Sequence, residues 1–596
     1  MNGKTSIRIG GASGFWGDSV IALPQLLRDE ALDFIIFDFL AEVTMSILAR
    51  ARETDPVLGY VPDFVTRLTP HLSTIAARGL RIVSNAGGIN PVGCAKLLEE
   101  RISAAGLSLR VGVVTGDDLL PRAEELRDST EMFSGDAMPD QFLSLNAYLG
   151  AGPIAAALDD GADIVITGRC VDSAMVLGPC IHAFGWSATD YDRLSGGSLA
   201  GHILECGAQA SGGLFTDWDI ATGWDDIGYP IAQIDARGNF LVTKVLGTGG
   251  LISRGTVAEQ LVYEIGDPRA YLLPDVSCDW ADVTIEDVGP DQVWVSGAKG
   301  FPPPATLKAS ATWQDGYRVG AIWTIVGEQA VQKAEKIGEA VVKRVRRLLD
   351  HAGKPDFSEV SIEVLGSEIS YGPYSRARGA REVILKIAAK HAERQPLSLL
   401  VSEFTSAGTS MAPGFTGFGG NRPKVASVVR LFSVEVPRTM PDIRVAIGAT
   451  SRPVPLLPSD PAPRQEPVPT DCRDPLVTAA MREVPLHRLA WGRSGDKGNH
   501  ANIGIIARRP EYLAYIRAGL NEAMVGERFG HYAPSAVERF DLPGIHAINF
   551  LLRDILGGGG IASLRNDPQG KGYAQILLSA PIAIPSEWRL ADTEGQ

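Results

Sequence analysis

Five short apolar runs punctuate the first 210 or so residues: Ile7–Ile9, Phe34–Phe37, Arg81–Ser84, Arg110–Val114 and Ile164–Thr167. Amphipathic stretches such as Val20–Arg28, Asp63–Arg78 and Val92–Ala105 separate them. Short apolar strands joined by helical crossovers fit a mostly parallel sheet covered on both faces. Residues 1–215 therefore read as a Rossmann-like α/β domain.

From about Tyr229 the texture changes, and residues 216–450 read as an adjoining α+β region. "VWVSGAKGFPPPATLKASATWQDGYRVGAIWTIVG" alternates as strands do, while Pro302–Pro304 excludes a central strand there. A charged helix is expected over Gln329–Asp350 and another near Ala377–Glu393. "SEFTSAGTSMAPGFTGFGGNRPK" reads as a long glycine-rich loop, a lid anchored by Phe404, Phe415 and Phe418. Eight prolines in Arg452–Pro475 mark 451–483 as an extended linker. Beyond it, 484–596 reads as a separate ferredoxin-like α/β sandwich. Its expected elements are strands at Ala501–Ala507, Glu538–Asp541 and Ala574–Ser579, a helix at Pro510–Leu520 and a strand-to-helix unit at Ile545–Leu556.

The net charge of −14, without a basic stripe, argues against a nucleic-acid partner. The first residues lack the apolar core of a signal peptide, and "ALDFIIFDFLA" is too short and too often interrupted by Asp to span a bilayer. Six scattered cysteines form no CxxC pair, which suits free thiols in a reducing compartment. A cytoplasmic protein without a membrane partner, and a homo-oligomer, is the expectation.

Four strands of the first region end in polar, glycine-bearing loops: "GGASGFWGDS", "NAGGINP", "TGDD" and "GRCVDSA". In open α/β sheets ligands sit at the carboxyl ends of strands. Gly11, Gly14, Gly87 and Gly88 would let the backbone approach a ligand, while Ser13, Asn85, Asn90 and Arg169 supply directional groups. No loop matches GxGxxG in register, and no GxxxxGK[ST] or GxSxG occurs. Asp18, Asp38, Glu42, Asp117, Asp118 and Asp172 lie at or just past strand ends. They could hold a hard cation such as Mg2+, although capping helices is the commoner work of Asp at such places. No HExxH or zinc-type Cys/His spacing is present, so the metal ligands stay unassigned.

Near the carboxyl end "WGRSGDKGNHANIGIIARRP" crowds Arg493, Asp496, Lys497 and Asn499 onto one glycine-spaced turn. "SLRNDPQGKG" adds Arg565, Asp567 and Lys571. In a βαββαβ sheet the first and last strands would bring these loops together. Such a loop suits a carboxylate or a CoA phosphate. An internal Asp–Lys–Arg network that fixes the fold or a subunit interface is the alternative.

Together with "GTGGLISRGTV" and "GDPRAYLLPDV", these motifs resemble the acyclic terpene utilisation (AtuA-like) family, ending in that family's ferredoxin-fold domain. The resemblance covers nearly the whole chain, 1–450 for the family's amino-terminal region. It implies a place in the breakdown of acyclic isoprenoids or related branched acids, on acyl-CoA thioesters. It supplies no reaction. On that footing the expected chemistry is hydration, dehydration or C–C cleavage near the carboxyl end of the substrate. Asn85, Gly87 and Gly88 would face an enolate or thioester oxygen, Asp18, Asp117 or Asp172 would exchange protons, and Arg169 would anchor a carboxylate. CoA would enter as part of the substrate. A non-catalytic acyl-CoA-binding or carboxylase-associated subunit, and a metal-dependent hydrolase, are the alternatives.

Overall fold

The structure is a computed structural model, and it describes residues 4–417, 422–456, 459, 480–560 and 562–590. Five parallel strands lie at its centre: β1 (Ser6–Gly11), β2 (Phe34–Phe37), β3 (Arg81–Ser84), β4 (Val111–Thr115) and β6 (Ile164–Thr167). Their spatial order is β1-β2-β3-β6-β4. Every residue of β2 and β6 is buried, as the unbroken apolar runs require when helices cover both faces. Antiparallel strands extend the sheet to eleven. β7 (Pro230–Asp235) and β8 (Phe240–Lys244) continue it beyond β1, and Arg444–Ile447 and Thr450–Pro453 beyond β4. The start of the proline-rich stretch is thus an edge strand, while 460–479 lies outside the described residues.

The strand β5 (Ser144–Ala147) leaves this sheet and pairs with Thr306–Val326, the long strand of a second sheet, with Ala147 opposite Ala309. This pairing sets Asn146 and Tyr148 beside Lys308, whose carbonyl accepts the Tyr148 N–H at 2.9 Å. Helix Ala330–His351 lays Val331, Ala334, Ile337, Val341, Val345 and Leu349 on the second sheet at helical spacing.

Two expectations for this region are corrected. The helix expected near Ala377–Glu393 is the strand Glu382–His391, bonded on both sides by Glu359–Leu365 and Thr306–Val326. Its Lys, Ala and Glu content favours helix, but Val383, Leu385, Ile387 and Ala389 alternate toward the core, and the pairing decides. The expected lid is, as far as Ser410, the helix Arg394–Ser410, whose Phe404 packs edge-on against Trp323 and Phe415 in the core. Phe418 and Asn421 lie outside the described residues.

The carboxyl-terminal region forms an antiparallel sheet in the order Ala490–Lys497, His500–Ala507, Ala547–Leu552, Val537–Leu542. Helices Leu513–Gly519, Glu522–Arg528 and Tyr573–Leu578 accompany it. The strand expected at Ala574–Ser579 is that last helix, because a short apolar run fits either period. Ala547–Leu552 is a strand only, and the final strand, Pro581–Pro585, pairs with Met481–Pro485 outside the four-stranded sheet.

This sheet is buried on both faces. Ala501, Ile503, Ile505 and Ala507 join the domain's own core, whereas Ile506 belongs to the core of the amino-terminal region. Between them Gly504 leaves no room for a side chain, since a Cβ there would stand 2.2 Å from Val262. Polar anchors complete the contact. Arg493 pairs with fully buried Glu259 at 3.0 Å and also donates to Gln209 and to the Gly213 carbonyl. Asn502 takes the Glu264 N–H at 2.9 Å and donates to the Val262 carbonyl at 2.6 Å and to Asn549 at 2.9 Å. Asn549 donates in turn to the carbonyls of Ile265 and Gly266. Among the described residues no helix is long and apolar enough to cross a membrane, and the five described cysteines are free thiols.

Removing one partner of a buried ion pair strands the other charge. Arg493→Leu is expected to cost about 3–5 kcal/mol, read as a lower denaturant midpoint. The double variant Arg493→Met/Glu259→Gln is expected to recover most of that loss; equal losses in both would contradict the pairing.

Candidate functional site

The strand ends of the central sheet converge. From the loop after β1, the Ser13 hydroxyl donates to the Asp38 carbonyl at 2.8 Å. From β3, Asn85 donates to the Asp38 carboxyl at 2.7 Å and accepts the Phe39 N–H, so it grips both sides of the loop after β2. Past β4, Asp117 accepts the Arg169 N–H at 2.8 Å and the Asn146 amide at 2.9 Å. β6 delivers Arg169, which bonds Asp172 at 2.7 Å and lies over the Tyr148 ring at 4.2 Å. Lys308 stands 4.9 Å from the same ring, and the Tyr148 hydroxyl donates to Glu42 at 2.7 Å. Arg169 is almost fully buried, while the side chains of Glu42, Asp172 and Lys308 keep 31%, 36% and 37% of their surface accessible. Glu42, Asn146, Tyr148, Arg169, Ser310 and Thr312 line a recess whose cavity is about 10 Å³, room for about one water.

The carboxyl-terminal region builds the opposite bank. Its hairpin places Lys497 2.9 Å from the Glu264 carbonyl and 5.0 Å from the Tyr271 ring. Lys571 bonds the Glu264 carboxylate at 3.0 Å, stands 3.6 Å from Asp496 and donates to the Tyr263 hydroxyl. The segment that the two asparagines hold, 262–266, is the one that carries Tyr263 and Glu264 here.

The two banks feel each other's charge. Burial, and then Asp172, push Asp38 well above the carboxylate range, with Glu205 adding to the effect. Burial, Asp172 and Glu264 do the same to Glu205, against the pull of Lys497 and Arg169. Burial raises Asp117 to about 6, and burial with Glu264 raises Asp496 to about 7. Burial also works against Glu42, yet Lys308 and Arg169 outweigh it and hold that carboxylate at about 2. The cations Arg169, Lys308, Lys497 and Lys571 lie among the carboxyl groups of Asp38, Glu42, Asp117, Asp172, Glu205, Glu264 and Asp496, and burial makes Asp38, Asp117, Asp172, Glu205 and Asp496 hold their protons more tightly than usual. Raised proton affinity in these carboxyls lessens the repulsion that an anion entering the recess would meet.

The residues singled out from the sequence divide. Ser13 and Asn85 (through Asp38), Asp117, Arg169, Asp172, Asp496, Lys497 and Lys571 come together. The others have work elsewhere. Asp18 accepts the Gly14 N–H and the Tyr229 hydroxyl, tying down its own loop. Gly11 and Gly14 admit the turn after Leu204, where a Cβ would stand 2.6 Å from the Leu204 oxygen or from the Cys206 carbonyl carbon. Gly87 packs equally close to the Thr167 oxygen and Gly88 against Leu48, so neither is set aside for a ligand. Asn90 caps helix Pro91–Ala104 by accepting the Gly93 N–H. Asp118 caps its own turn at Leu120. Asn499 bonds Asp554 and Gly558, and Arg565 bonds the Ile555 carbonyl beside the Tyr532 ring. The terminal motif is thus both things at once: Arg493 and Asn499 fasten the fold, and Asp496 and Lys497 enter the recess. Among the described residues no three or more His, Cys, Asp and Glu side chains are arranged to hold a metal ion.

Residues 7–447 match the family described as acyclic terpene utilisation family protein AtuA, and residues 484–583 match the AtuA ferredoxin-like domain. The chain belongs to the acyclic terpene utilisation family. No curated protein and no solved structure matches it. Family membership is consistent with terpene breakdown, and both family segments supply side chains to the same recess.

Asp117 and Asp496 keep their protons up to about 6 and about 7, whereas an unfolded aspartate releases its own near roughly 3.9. Across that window the folded chain binds more protons than the unfolded one, so stability falls as pH rises through it. Thermal midpoints measured over this range should fall with pH, and Asp496→Asn should flatten the upper part. An unchanged slope in the variant would contradict the burial of Asp496.

Proposed function

We propose that the recess is the active site of an enzyme that acts on an acyclic isoprenoid or branched-chain substrate carrying a carboxylate or an acyl-CoA thioester. The supporting observation is the pair of cations on one ring: Arg169 and Lys308 both stand on Tyr148, and Tyr148 and Arg169 line the recess together with Asn146 and Ser310. The Asn146 side-chain oxygen and the Ser310 hydroxyl are buried there with no protein partner. A buried polar atom costs free energy unless something satisfies it, and a substrate's polar end would do so. Arg169 and Lys308 then receive the carboxylate or the thioester oxygen and stabilise negative charge that grows on it.

The chemistry that suits this wall is addition or removal of water, or C–C cleavage, next to that carbonyl. Each is helped by donors or cations on that oxygen and by carboxyl groups able to give and take protons near neutral pH. Asp172 bonds the clamp directly and is the proton acceptor in this reading. Lys497 and Lys571 close the recess from the other side. A role for the ferredoxin-like domain as a loosely tethered docking module gains no support, because its second sheet face is already spent on the amino-terminal region.

The test is incubation of the purified chain with isoprenoid and branched acyl-CoAs and the corresponding free acids, followed by mass spectrometry of the products. Lys308→Met is expected to lower kcat/KM about 100-fold or more, with only a modest fall in thermal midpoint because Glu42 keeps Arg169 and the Tyr148 hydroxyl. Absence of both turnover and binding across the panel would overturn the proposal.

A further inference from the structure

Helix Tyr191–Leu204 ends at the recess, and two residues at that end are unexplained by the anion clamp. His202 is sealed, with 1% of its side chain accessible; Glu205 keeps 13%. The ring is fixed at both nitrogens. Nε2 lies 3.1 Å from the Leu261 carbonyl, and Nδ1 lies 3.0 Å from the Glu205 carboxyl. A carbonyl oxygen can only accept, so Nε2 carries hydrogen. Nδ1 and a carboxylate oxygen would both be acceptors, and their contact then requires one proton between them. Held as an imidazolium and a carboxylate, the pair would separate charge in a buried place. Held as a neutral ring and a carboxylic acid, it separates none, and burial selects that form.

The surroundings agree. Glu205 is faced by Asp38 after β2, by Arg169 and Asp172 after β6, by Glu264, by Lys497 of the hairpin, and by the neighbouring Cys206 thiol. His202 is walled by the rings of Tyr271 and Trp280, with Lys497 disfavouring a second positive charge. Burial holds the imidazole down at about 4.

We infer that Glu205 is the general acid of this recess and His202 the positioning residue that keeps it protonated and aimed. The inference rests on the enzyme reading above and sharpens it toward dehydration, and in reverse hydration, of a β-hydroxy acyl group. Asp172 takes the proton on the carbon next to the carbonyl, and that C–H electron pair becomes the new C=C bond. The C–O bond at the β-carbon breaks, and the departing hydroxyl leaves as water with the Glu205 proton. Transfer from Asp172 back to Glu205 restores the starting state. No oxidant or further reactant is needed.

Two readouts on the full chain test this, one of them independent of turnover. The chain has nine histidines, so 15N-histidine labelling, with His202→Gln for assignment, resolves the ring. His202 should show a neutral ring with hydrogen on Nε2 throughout pH 5 to 8, and Glu205→Gln, which can still donate to Nδ1, should leave that signal and the fold intact. With β-hydroxy isoprenoid acyl-CoAs, Glu205→Gln should lose 100-fold or more in kcat, with KM little changed. His202→Leu, which offers the protonated acid no acceptor, should move the alkaline limb of the pH–rate profile to lower pH. A His202 that titrates near the ordinary histidine value, or that carries hydrogen on Nδ1 alone, overturns the inference. So does wild-type turnover in Glu205→Gln. If the wild-type chain converts no thioester, the enzyme reading and the acid role fall together, while the ring signal still decides whether the proton is held as described.

Discussion

The rest of the structure depends on a sheet that is buried twice. Strands His500–Ala507 and Ala547–Leu552 turn one face to their own helices and the other to the amino-terminal region. A sheet with two buried faces must satisfy every polar group on both, and Asn502 and Asn549 do so by taking up the loose end of helix Arg254–Leu261. The orphan carbonyls of a helix terminus are usually left to water or to a capping turn. Here a second domain supplies the partners, and the segment so fixed carries Tyr263 and Glu264 into the recess. The contacts that dock the two regions therefore also shape the recess. The Arg493–Glu259 pair adds little net stability by itself, because two charges leave water to form it. Its effect is specificity: any other register would strand one of them.

The electrostatics of the recess follow from the same closure. Carboxyl groups that would be ionised on a surface are crowded by one another and largely buried, and Asp38, Glu205 and Asp496 hold their protons more tightly than usual. Glu42 escapes because Lys308 and Arg169 stand over it. One recess thus holds carboxyls of raised and of lowered proton affinity side by side, an arrangement that suits acid–base chemistry on a single substrate.

Much of the scaffold was legible in the sequence. Phe34–Phe37 and Ile164–Thr167 could be placed in a covered parallel sheet because a strand buried on both faces shows no alternation. Glu382–His391 reads as helix from its composition, and only its partners on either side decide otherwise. Tyr573–Leu578 is too short for its period to declare itself. The loops after the strands were recognisable as polar and glycine-rich, but glycine records only that something comes close. At Gly11, Gly14 and Gly87 that something is the chain itself. Arg169, Asp172, Asp496 and Lys497 stood out as charged groups on glycine-bearing turns. Tyr148, His202, Glu205 and Glu264 gave no local signal: β5 changing sheets places the first, and domain docking the last. The one trace was "NAYLG" and "LECGAQ", short breaks in apolar stretches that a core alone would not need.

The central claim is that one ligand touches both banks at once. Hydrogen–deuterium exchange of the full chain, with and without a saturating branched acyl-CoA or its acid, measures this directly. The account expects simultaneous protection at 38–42, 146–148, 169–172, 262–266 and 494–498. Protection confined to the amino-terminal loops, with the hairpin and 262–266 unchanged, would contradict it.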